Sequence, residues 1–192
     1  MINQYPIAVL IRGLPGSGKT YIAQRLQLAL APNQTVMLDP DTVDTTSRAY
    51  RDHVAALTAE GVDQKLHLYR FLRAQAYQAI EDDKIIIWNQ PFTNLEIFNK
   101  MVGRLRDHAA SHSKQLPLLV VEVQTPPDIA KQRIQERKEH GGHGPSADAW
   151  ERFINDYRSF ADEGYQTISV HGNKDAAVSV KTIQKALAKY FA

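Results

Sequence analysis

One stretch of eight residues near the amino terminus restricts the fold of this chain more than any other feature of the sequence. Residues 13–20 read Gly-Leu-Pro-Gly-Ser-Gly-Lys-Thr, which matches the pattern G-x-x-x-x-G-K-[ST] without a mismatch. An apolar run of strand length, residues 7–11, precedes this stretch. After it, Ile22, Leu26 and Leu30 recur at helical spacing. The pattern binds phosphate where a strand leads into it and a helix follows, and the flanking residues predict that arrangement.

We call residues 13–20 the glycine loop and predict that it binds the phosphates of a nucleoside triphosphate. Glycine lets the backbone curl tightly, so that several N–H groups can point at one anion. The helix that follows adds the positive end of its dipole. Lys19 is expected to reach the β- and γ-phosphates, and the hydroxyl of Thr20 is expected to bind Mg²⁺. The residues predicted to hold the nucleotide are therefore Gly13, Leu14, Pro15, Gly16, Ser17, Gly18, Lys19 and Thr20.

Size and composition indicate one globular domain over residues 1–192. Hydrophobic residues make up 43% of the chain, charged residues make up 23%, and the formal net charge is +2. The absence of cysteine excludes disulfides, thiolate metal sites and a cysteine nucleophile. The amino terminus lacks the basic segment of a signal peptide, and no apolar run reaches transmembrane length. We therefore predict a cytoplasmic protein without a membrane partner.

Apolar segments alternate with helical segments along the rest of the chain. Strands are predicted at residues 7–12, 35–39, 85–88, 116–123 and 166–170. Helices are predicted at residues 19–31, 94–112, 126–140, 147–162 and 175–191, and residues 42–82 are predicted to be mostly helical. Thr125 is expected to cap the helix at 126–140. This alternation predicts an α/β fold with a parallel sheet covered on both faces, which binds ligands at the carboxyl ends of its strands.

Two carboxylates follow the second predicted strand, in the sequence Asp39-Pro40-Asp41. A kinase that acts on a hydroxyl gains from a carboxylate that orients the acceptor and takes its proton, and Asp41 is our candidate for this base. Asp39 either binds Mg²⁺, through water, or caps the following turn. The alternative for both residues is ordinary turn chemistry, which Asp-Pro-Asp also favours.

The helix at 126–140 carries Arg133 and Arg137 on one face, and a glycine-rich stretch follows it at 141–146. Guanidinium groups stabilise the charge that develops on a transferring phosphoryl group. Residues 126–146 are therefore predicted to form a lid whose arginines reach the phosphates and whose closure excludes water. A solvated helix face, with the arginines paired to neighbouring glutamates, remains the alternative.

Three further segments have two interpretations each. Asn89 and Gln90 follow the third strand, where many nucleotide hydrolases carry an acidic residue, and they either form a turn or hold substrate or water. Asn173 follows the fifth strand and either contacts the base of the nucleotide or belongs to a helix cap. Residues 42–82 are predicted to cover the acceptor site, although most of their side chains have the pattern of an ordinary amphipathic helix.

These segments resemble a known family. Residues 12–20, the segment 38–41 and the arginine-bearing helix 129–137 look like the P-loop kinases grouped with polynucleotide 5′-hydroxyl kinases and zeta toxins. The resemblance implies a P-loop NTPase three-layer sandwich, in which a five-stranded parallel sheet has the order 2-3-1-4-5 and helices form a lid. It also implies ATP as the donor and a hydroxyl as the acceptor. In this family Lys19 would match the phosphate lysine, Asp41 the base, and Arg133 or Arg137 the lid arginine.

The predicted function is ATP-dependent transfer of the γ-phosphate to a hydroxyl of a small molecule or a nucleotide-type acceptor. A 5′-hydroxyl nucleic-acid kinase is an alternative that scattered arginines and a net charge of +2 make less favoured. A second alternative is a nucleotide-binding or ATPase module without kinase activity. A GTPase is disfavoured because Ala176 stands where the guanine motif requires aspartate.

Overall fold

The computed structural model describes residues 6–142 and 144–190. Five strands form one parallel sheet in the order β2-β3-β1-β4-β5, which confirms the predicted α/β class and strand order. The strands are β1 (Ile7–Arg12), β2 (Thr35–Leu38), β3 (Ile85–Asn89), β4 (Leu118–Gln124) and β5 (Thr167–His171). The α-helices are α1 (Lys19–Ala29), α2 (Arg48–Ala59), α3 (His67–Glu81), α4 (Leu95–Ser111), α5 (Pro127–Glu139), α6 (Ala147–Asp156) and α7 (Ala176–Leu187).

Helices cover the sheet on both faces, which is why its central strands read as continuous apolar runs. Successive residues of β1 point to opposite faces. Ala8 and Leu10 pack with residues of α3 and α4, whereas Ile7, Val9 and Ile11 pack with residues of α1 and α7. Because both faces of β1 are apolar, each face is covered by helices, and the fold has three layers: helices, sheet and helices. None of the helices in the described part of the chain combines the length and the apolar character needed to cross a bilayer.

The helix predicted at 147–162 ends earlier in the structure, at Asp156, so the last part of that prediction is wrong. The residues after α6 instead cover a buried ion pair. Arg12, at the carboxyl end of β1, lies 2.6 Å from Glu122 of β4 and is fully buried. The guanidinium of Arg12 also donates to the carbonyl of Arg158 at 2.6 Å. A continued helix would remove this carbonyl from reach of the guanidinium.

Two aromatic rings complete the cover of this ion pair. The guanidinium carbon of Arg12 lies 3.6 Å from the ring centre of Phe160 and 4.4 Å from that of Tyr157. Burial raises the pKa of Tyr157 to about 12, so its ring stays neutral beside the pair. The carboxylate of Glu122 accepts from the backbone N–H of Phe160 at 2.7 Å and from the hydroxyl of Ser159 at 2.9 Å. Both charged groups therefore make hydrogen bonds, as buried charges require, while Nε of Arg12 has no partner among the described residues.

Residues 42–82 form α2 and α3, with a break at Gly61, whose φ is 71°. Two predicted positions lie outside the described residues. They are His143, in the predicted lid, and residue 191, at the end of the last predicted helix. All five strands end at the same edge of the sheet, because the sheet is parallel. The loops that follow the strands at this edge bring together the residues that the sequence singled out.

Candidate active site

The glycine loop connects the buried end of β1 to the first turn of α1. Gly16 and Gly18 adopt left-handed φ angles of 77° and 90°, and Gly18 is the residue before α1. A Cβ at position 16 would overlap the carbonyl oxygen of Ala130 on α5, so glycine is required there by space as well as by conformation. The backbone is thus curled at the amino end of a helix, which is the arrangement that holds an anion.

Lys19 lies close to the centre of this curl. Its ammonium group is 3.4 Å from the carbonyl oxygen of Leu14. Burial lowers the pKa of Lys19 from 10.5 to about 8, the carboxylates of Asp41 and Asp39 raise it, and Arg137 lowers it further. Lys19 is therefore a poorly solvated cation, and a bound triphosphate would stabilise its charge.

We expect nucleotide binding to be coupled to protonation of Lys19. With a pKa of about 8, roughly half of the Lys19 side chains are neutral at pH 8, whereas the phosphates should hold the proton in the complex. Binding of ATP should therefore take up about 0.5 proton at pH 8, with more taken up at higher pH. Because the complex binds more protons than the free protein, ATP affinity should fall as the pH rises above 8.

Calorimetry in two buffers with different ionisation heats measures this proton uptake. Lys19→Arg is the matched control, because arginine keeps its charge at these pH values and should take up no proton. Equal proton uptake by both proteins would mean that a group other than Lys19 titrates on binding.

Thr20 and Asp39 meet at the side chain of Asn89, which ends β3. The amide nitrogen of Asn89 donates to the hydroxyl of Thr20 at 2.9 Å and also donates to the carboxylate of Asp39. Asn89 and Asp39 are 2% and 3% exposed. The sequence allowed either a turn or a binding role for Asn89. In the structure, Asn89 connects the glycine loop to the loop after β2.

This group offers oxygen ligands of the kind that Mg²⁺ prefers. The oxygen of the Asn89 amide is buried and has no hydrogen-bond partner within the described residues. The residues therefore fit a hydrated cation, with the hydroxyl of Thr20 and the carboxylate of Asp39 as its ligands. Asp39 also caps the following turn, since its Oδ1 accepts from the backbone N–H of Asp41 at 2.9 Å.

Asp41 lies in the short turn at Pro40–Thr42 after β2, and its side chain is exposed to solvent. Its carboxylate raises the pKa of Lys19 electrostatically, so the two charged groups lie within electrostatic range of each other. Within the part of the chain that the structure describes, no hydrogen bond occupies the carboxylate of Asp41. An acidic group next to the phosphate lysine, open to solvent, can receive a proton from a bound acceptor.

The two arginines of α5 occupy different positions. Arg133 donates to the carbonyl of Gly172 at 3.0 Å and to that of Gly16 at 3.4 Å. It thereby joins the glycine loop to the loop after β5. Arg137, one turn further along α5, is exposed and lies near enough to Lys19 to lower its pKa. Arg133 therefore contacts the backbone of the glycine loop, whereas Arg137 lies within electrostatic range of Lys19.

Thr125 and Gly172 contact the glycine loop from the carboxyl ends of β4 and β5. The predicted capping role of Thr125 is wrong, because Pro126 is the capping residue of α5. Instead, the hydroxyl of Thr125 donates to the carbonyl of Ser17 at 2.8 Å. Gly172 packs so closely on the same carbonyl that a Cβ there would overlap it. Sequence reasoning missed both roles, although a glycine directly after the last strand was a signal for a close backbone approach.

We expect Gly172→Ala to weaken ATP binding by at least about tenfold, because the added methyl group must displace Ser17 and with it the N–H groups of the glycine loop. The measurement is the dissociation constant of ATP by calorimetry. Gly103→Ala is the control, since that position in α4 has no atom within 4 Å of the added Cβ and should leave binding unchanged. Equal affinity of the two variants would show that the loop does not depend on its packing against Gly172.

Asn173 lies in a groove next to the glycine loop. The groove is lined by residues of the loops after β1, β4 and β5 and by one residue after α6, among them Leu14, Thr125, Tyr157, Asn173 and Lys174. Asp175, not Asn173, caps α7, because its side chain accepts from the backbone N–H of Ala177 at 2.9 Å. Asn173 is exposed and lies at a groove whose walls are both apolar and polar.

Solved structures with a similar fold include kinases. A gluconokinase from Sinorhizobium meliloti 1021 is 14% identical, with a TM-score of 0.59 over 97% of this chain and 94% of that chain. Kti12 from Chaetomium thermophilum, in complex with ADP-AlF3, is 17% identical, with a TM-score of 0.62 over 96% of this chain and 99% of that chain. The PezAT toxin-antitoxin system of Streptococcus pneumoniae contains a chain that is 14% identical, with a TM-score of 0.62 over 89% of this chain and 69% of that chain.

These similarities confirm the P-loop fold and the predicted resemblance to the P-loop kinase group. At such low identity they describe the fold alone. No protein with a curated description matches the chain in sequence. Residues 9–160 match the AAA_33 family, which is described as an AAA domain. The matched segment is most of the chain and contains the glycine loop, Asp39, Asp41 and both arginines of α5. The chain therefore belongs to this family of AAA domains.

Proposed function

We propose that this protein transfers the γ-phosphate of ATP to a hydroxyl group of a small molecule or a nucleotide-type acceptor. The observation that carries the proposal is the convergence of the glycine loop and Lys19 with two carboxylates from the end of β2. One of them, Asp39, is buried beside Thr20, and the other, Asp41, is exposed. Many nucleotide hydrolases carry the acidic residue that activates water after the third strand, where this chain has the neutral Asn89 and Gln90. The carboxylates of this site follow β2 instead, which favours a hydroxyl acceptor over water.

The buried side of the site holds the donor. The N–H groups of the glycine loop and the ammonium of Lys19 bind the phosphates, and the groove beside Asn173 receives the base. Thr20 and Asp39 hold Mg²⁺, which neutralises charge on the β- and γ-phosphates when it is bound. Asn89 keeps the hydroxyl of Thr20 and the carboxylate of Asp39 in position through its two hydrogen bonds.

The exposed side of the site performs the transfer. The acceptor hydroxyl lies between Asp41 and the γ-phosphate, and its oxygen forms a bond to the γ-phosphorus while the bond to the β-phosphate oxygen breaks. Asp41 accepts the proton of the hydroxyl, and ADP leaves with the bridging oxygen. Arg137 stabilises the negative charge on the γ-oxygens from α5. Arg133 holds the glycine loop through its backbone carbonyls, which makes it a positioning residue.

The acceptor side of the proposed site is formed by α2 and α3, which follow Asp41 along the chain. A small acceptor is favoured by the low net charge of +2, since a polynucleotide-binding groove needs a continuous basic surface. The name of the similar gluconokinase is consistent with a small hydroxyl compound. A 5′-hydroxyl nucleic-acid kinase remains the second candidate, in line with the resemblance of the sequence to polynucleotide kinases.

The test is transfer of label from γ-labelled ATP to a panel of acceptors, comprising sugars and sugar acids, nucleosides, hydroxyl-bearing antibiotics and 5′-hydroxyl oligonucleotides. We expect label on one class of small acceptor and at least a tenfold rise in ADP formation when that acceptor is present. Label on oligonucleotides alone would support the second candidate. ADP formation that no acceptor changes, without any labelled product, would overturn the proposal in favour of an ATPase.

A further inference from the structure

Three potential metal ligands lie at the edge of the sheet opposite to the glycine loop. Glu81 ends α3, His108 is in the last turn of α4, and His112 directly follows that helix. One ligand atom from each of these side chains lies within 4.8 Å of the other two. Because α3 and α4 each lead into the amino end of a strand, the cluster is on the far side of the sheet from the nucleotide site.

The distances within the cluster are close to those of a tetrahedral metal site. The Nε2 atom of His108 lies 2.9 Å from Oε1 of Glu81, and the Nε2 atom of His112 lies 3.7 Å from the same oxygen. Ligands bound to Zn²⁺ at about 2.0–2.1 Å in tetrahedral geometry are about 3.4 Å apart. The three ligand atoms already lie within 4.8 Å of one another, so rotation of these side chains to about the tetrahedral separation would place all three around one ion.

The two imidazole rings are already held in place. The Nδ1 atom of His112 lies 2.9 Å from the carbonyl of His108, to which it can only donate, so its Nε2 atom carries the lone pair. The ring of His108 is stacked on that of Tyr77, with 4.0 Å between the ring centres. Lys114 donates to the backbone carbonyl of Glu81 at 2.6 Å and fixes the end of α3. The outer contacts are thus of the kind that orient metal ligands.

We propose that Glu81, His108 and His112 form a zinc site, with water as the fourth ligand, and that the ion ties α3 to α4. Imidazole nitrogen favours Zn²⁺ over Mg²⁺, whose ligands in proteins are oxygens. On binding, the proton that Nε2 of His108 directs at Glu81 moves to Nδ1 of the same ring or is released to solvent, because both rings must present a lone pair to the ion. The site is remote from the glycine loop, so its role is to stabilise the fold.

The test uses tag-free protein stripped of metal and titrated with zinc chloride by calorimetry, in the presence of excess Mg²⁺ to saturate the oxygen site beside Thr20. We expect one zinc ion per chain and a rise in melting temperature of about 5 °C at saturating zinc. His112→Gln and Glu81→Gln should each weaken zinc binding by at least about tenfold. Loss of a residue that only orients a metal ligand already has an effect of this size, and these variants remove a ligand itself.

His140→Gln is the matched control for these variants. The Nδ1 atom of His140 also contacts a carbonyl of its own helix, that of Glu136 at 2.7 Å, but among the described residues His140 belongs to no group of three ligands. It should bind zinc like the unaltered protein. Equal zinc affinity in His112→Gln, Glu81→Gln and His140→Gln, or no zinc uptake by the unaltered protein at micromolar concentration, would overturn the proposal. Neither result would affect the proposed phosphotransfer, which uses the other edge of the sheet.

Discussion

Asp41→Asn is expected to lower the turnover number for phosphate transfer by about 10²–10⁴-fold, the range typical of a lost general base. Asparagine has the shape of aspartate but cannot accept the proton of the acceptor hydroxyl. ATP binding should be unchanged or slightly tighter, because the substitution removes a negative charge near the phosphates. The measurement combines transfer of label from γ-labelled ATP with the dissociation constant of ATP by calorimetry.

The same variant has a second signature at Lys19. The carboxylate of Asp41 raises the pKa of Lys19, so its removal should lower that pKa below about 8. The proton uptake that accompanies ATP binding should then become visible at a lower pH than in the unaltered protein. A residue that served only as a turn former would not move this profile, so the pH dependence separates a role in the site from a structural role.

Asp44→Asn is the matched control for Asp41→Asn. Asp44 is also exposed and follows β2 closely, but its carboxylate accepts from the backbone and the hydroxyl of Thr46, at 2.8 and 2.6 Å. Asparagine can keep both contacts, and transfer should stay within about threefold of the unaltered protein. Equal transfer rates for Asp41→Asn and the unaltered protein would remove Asp41 from the role of base.

Glu122→Gln is expected to destabilise the fold by about 3–5 kcal/mol, the usual cost of removing one partner of a buried ion pair. Glutamine can still accept a hydrogen bond from the N–H of Phe160. The loss of stability in this variant therefore reports mainly the removal of the negative charge. Arg12 is fully buried and would then lack a counter-charge. Urea denaturation should show a midpoint lower by about 1.5 M or more with an unchanged slope.

Two further variants show whether this loss comes from the unpaired charge. Glu163→Gln alters an exposed glutamate of the same region and should change the free energy of unfolding by less than about 0.5 kcal/mol. Arg12→Met combined with Glu122→Leu removes both charges and should recover much of the stability lost in Glu122→Gln. A double variant as unstable as the single one would mean that the hydrogen bonds to residues 158–160, and not charge balance, stabilise this part of the fold.

The sheet and the glycine loop could be predicted because their signals are local. The strand of β1, the glycines and Lys19 follow one another in the sequence, and the apolar runs of β3 and β4 admit few other structures. The predicted order of the strands came from the resemblance to P-loop kinases, and that resemblance rests mainly on the glycine loop. Local patterns also predicted α5 to within one residue of each end.

Contacts between distant parts of the chain could not be predicted. Arg12 and Glu122 are 110 positions apart, and no local pattern in the sequence indicates that the two residues pair. The early end of α6 depends on that pair, so the predicted helix ran too far. Thr125 had the right residue type for a helix cap, but its hydroxyl bonds the carbonyl of Ser17, 108 positions away. In each case tertiary packing decided between local conformations that the sequence alone allows equally.

The position of Gly172 against Ser17 has a consequence for the newly made protein. A ribosome adds the glycine loop before any other part of the nucleotide site and adds the loop after β5 after all of them. Until β5 pairs with β4, the carbonyl of Ser17 lacks its packing against Gly172, and Arg133 lacks the carbonyl of Gly172 that helps to hold it against the glycine loop. We therefore expect an emerging chain to bind nucleotide less tightly than the finished fold, so that nucleotide stabilises chiefly molecules that have already completed the sheet.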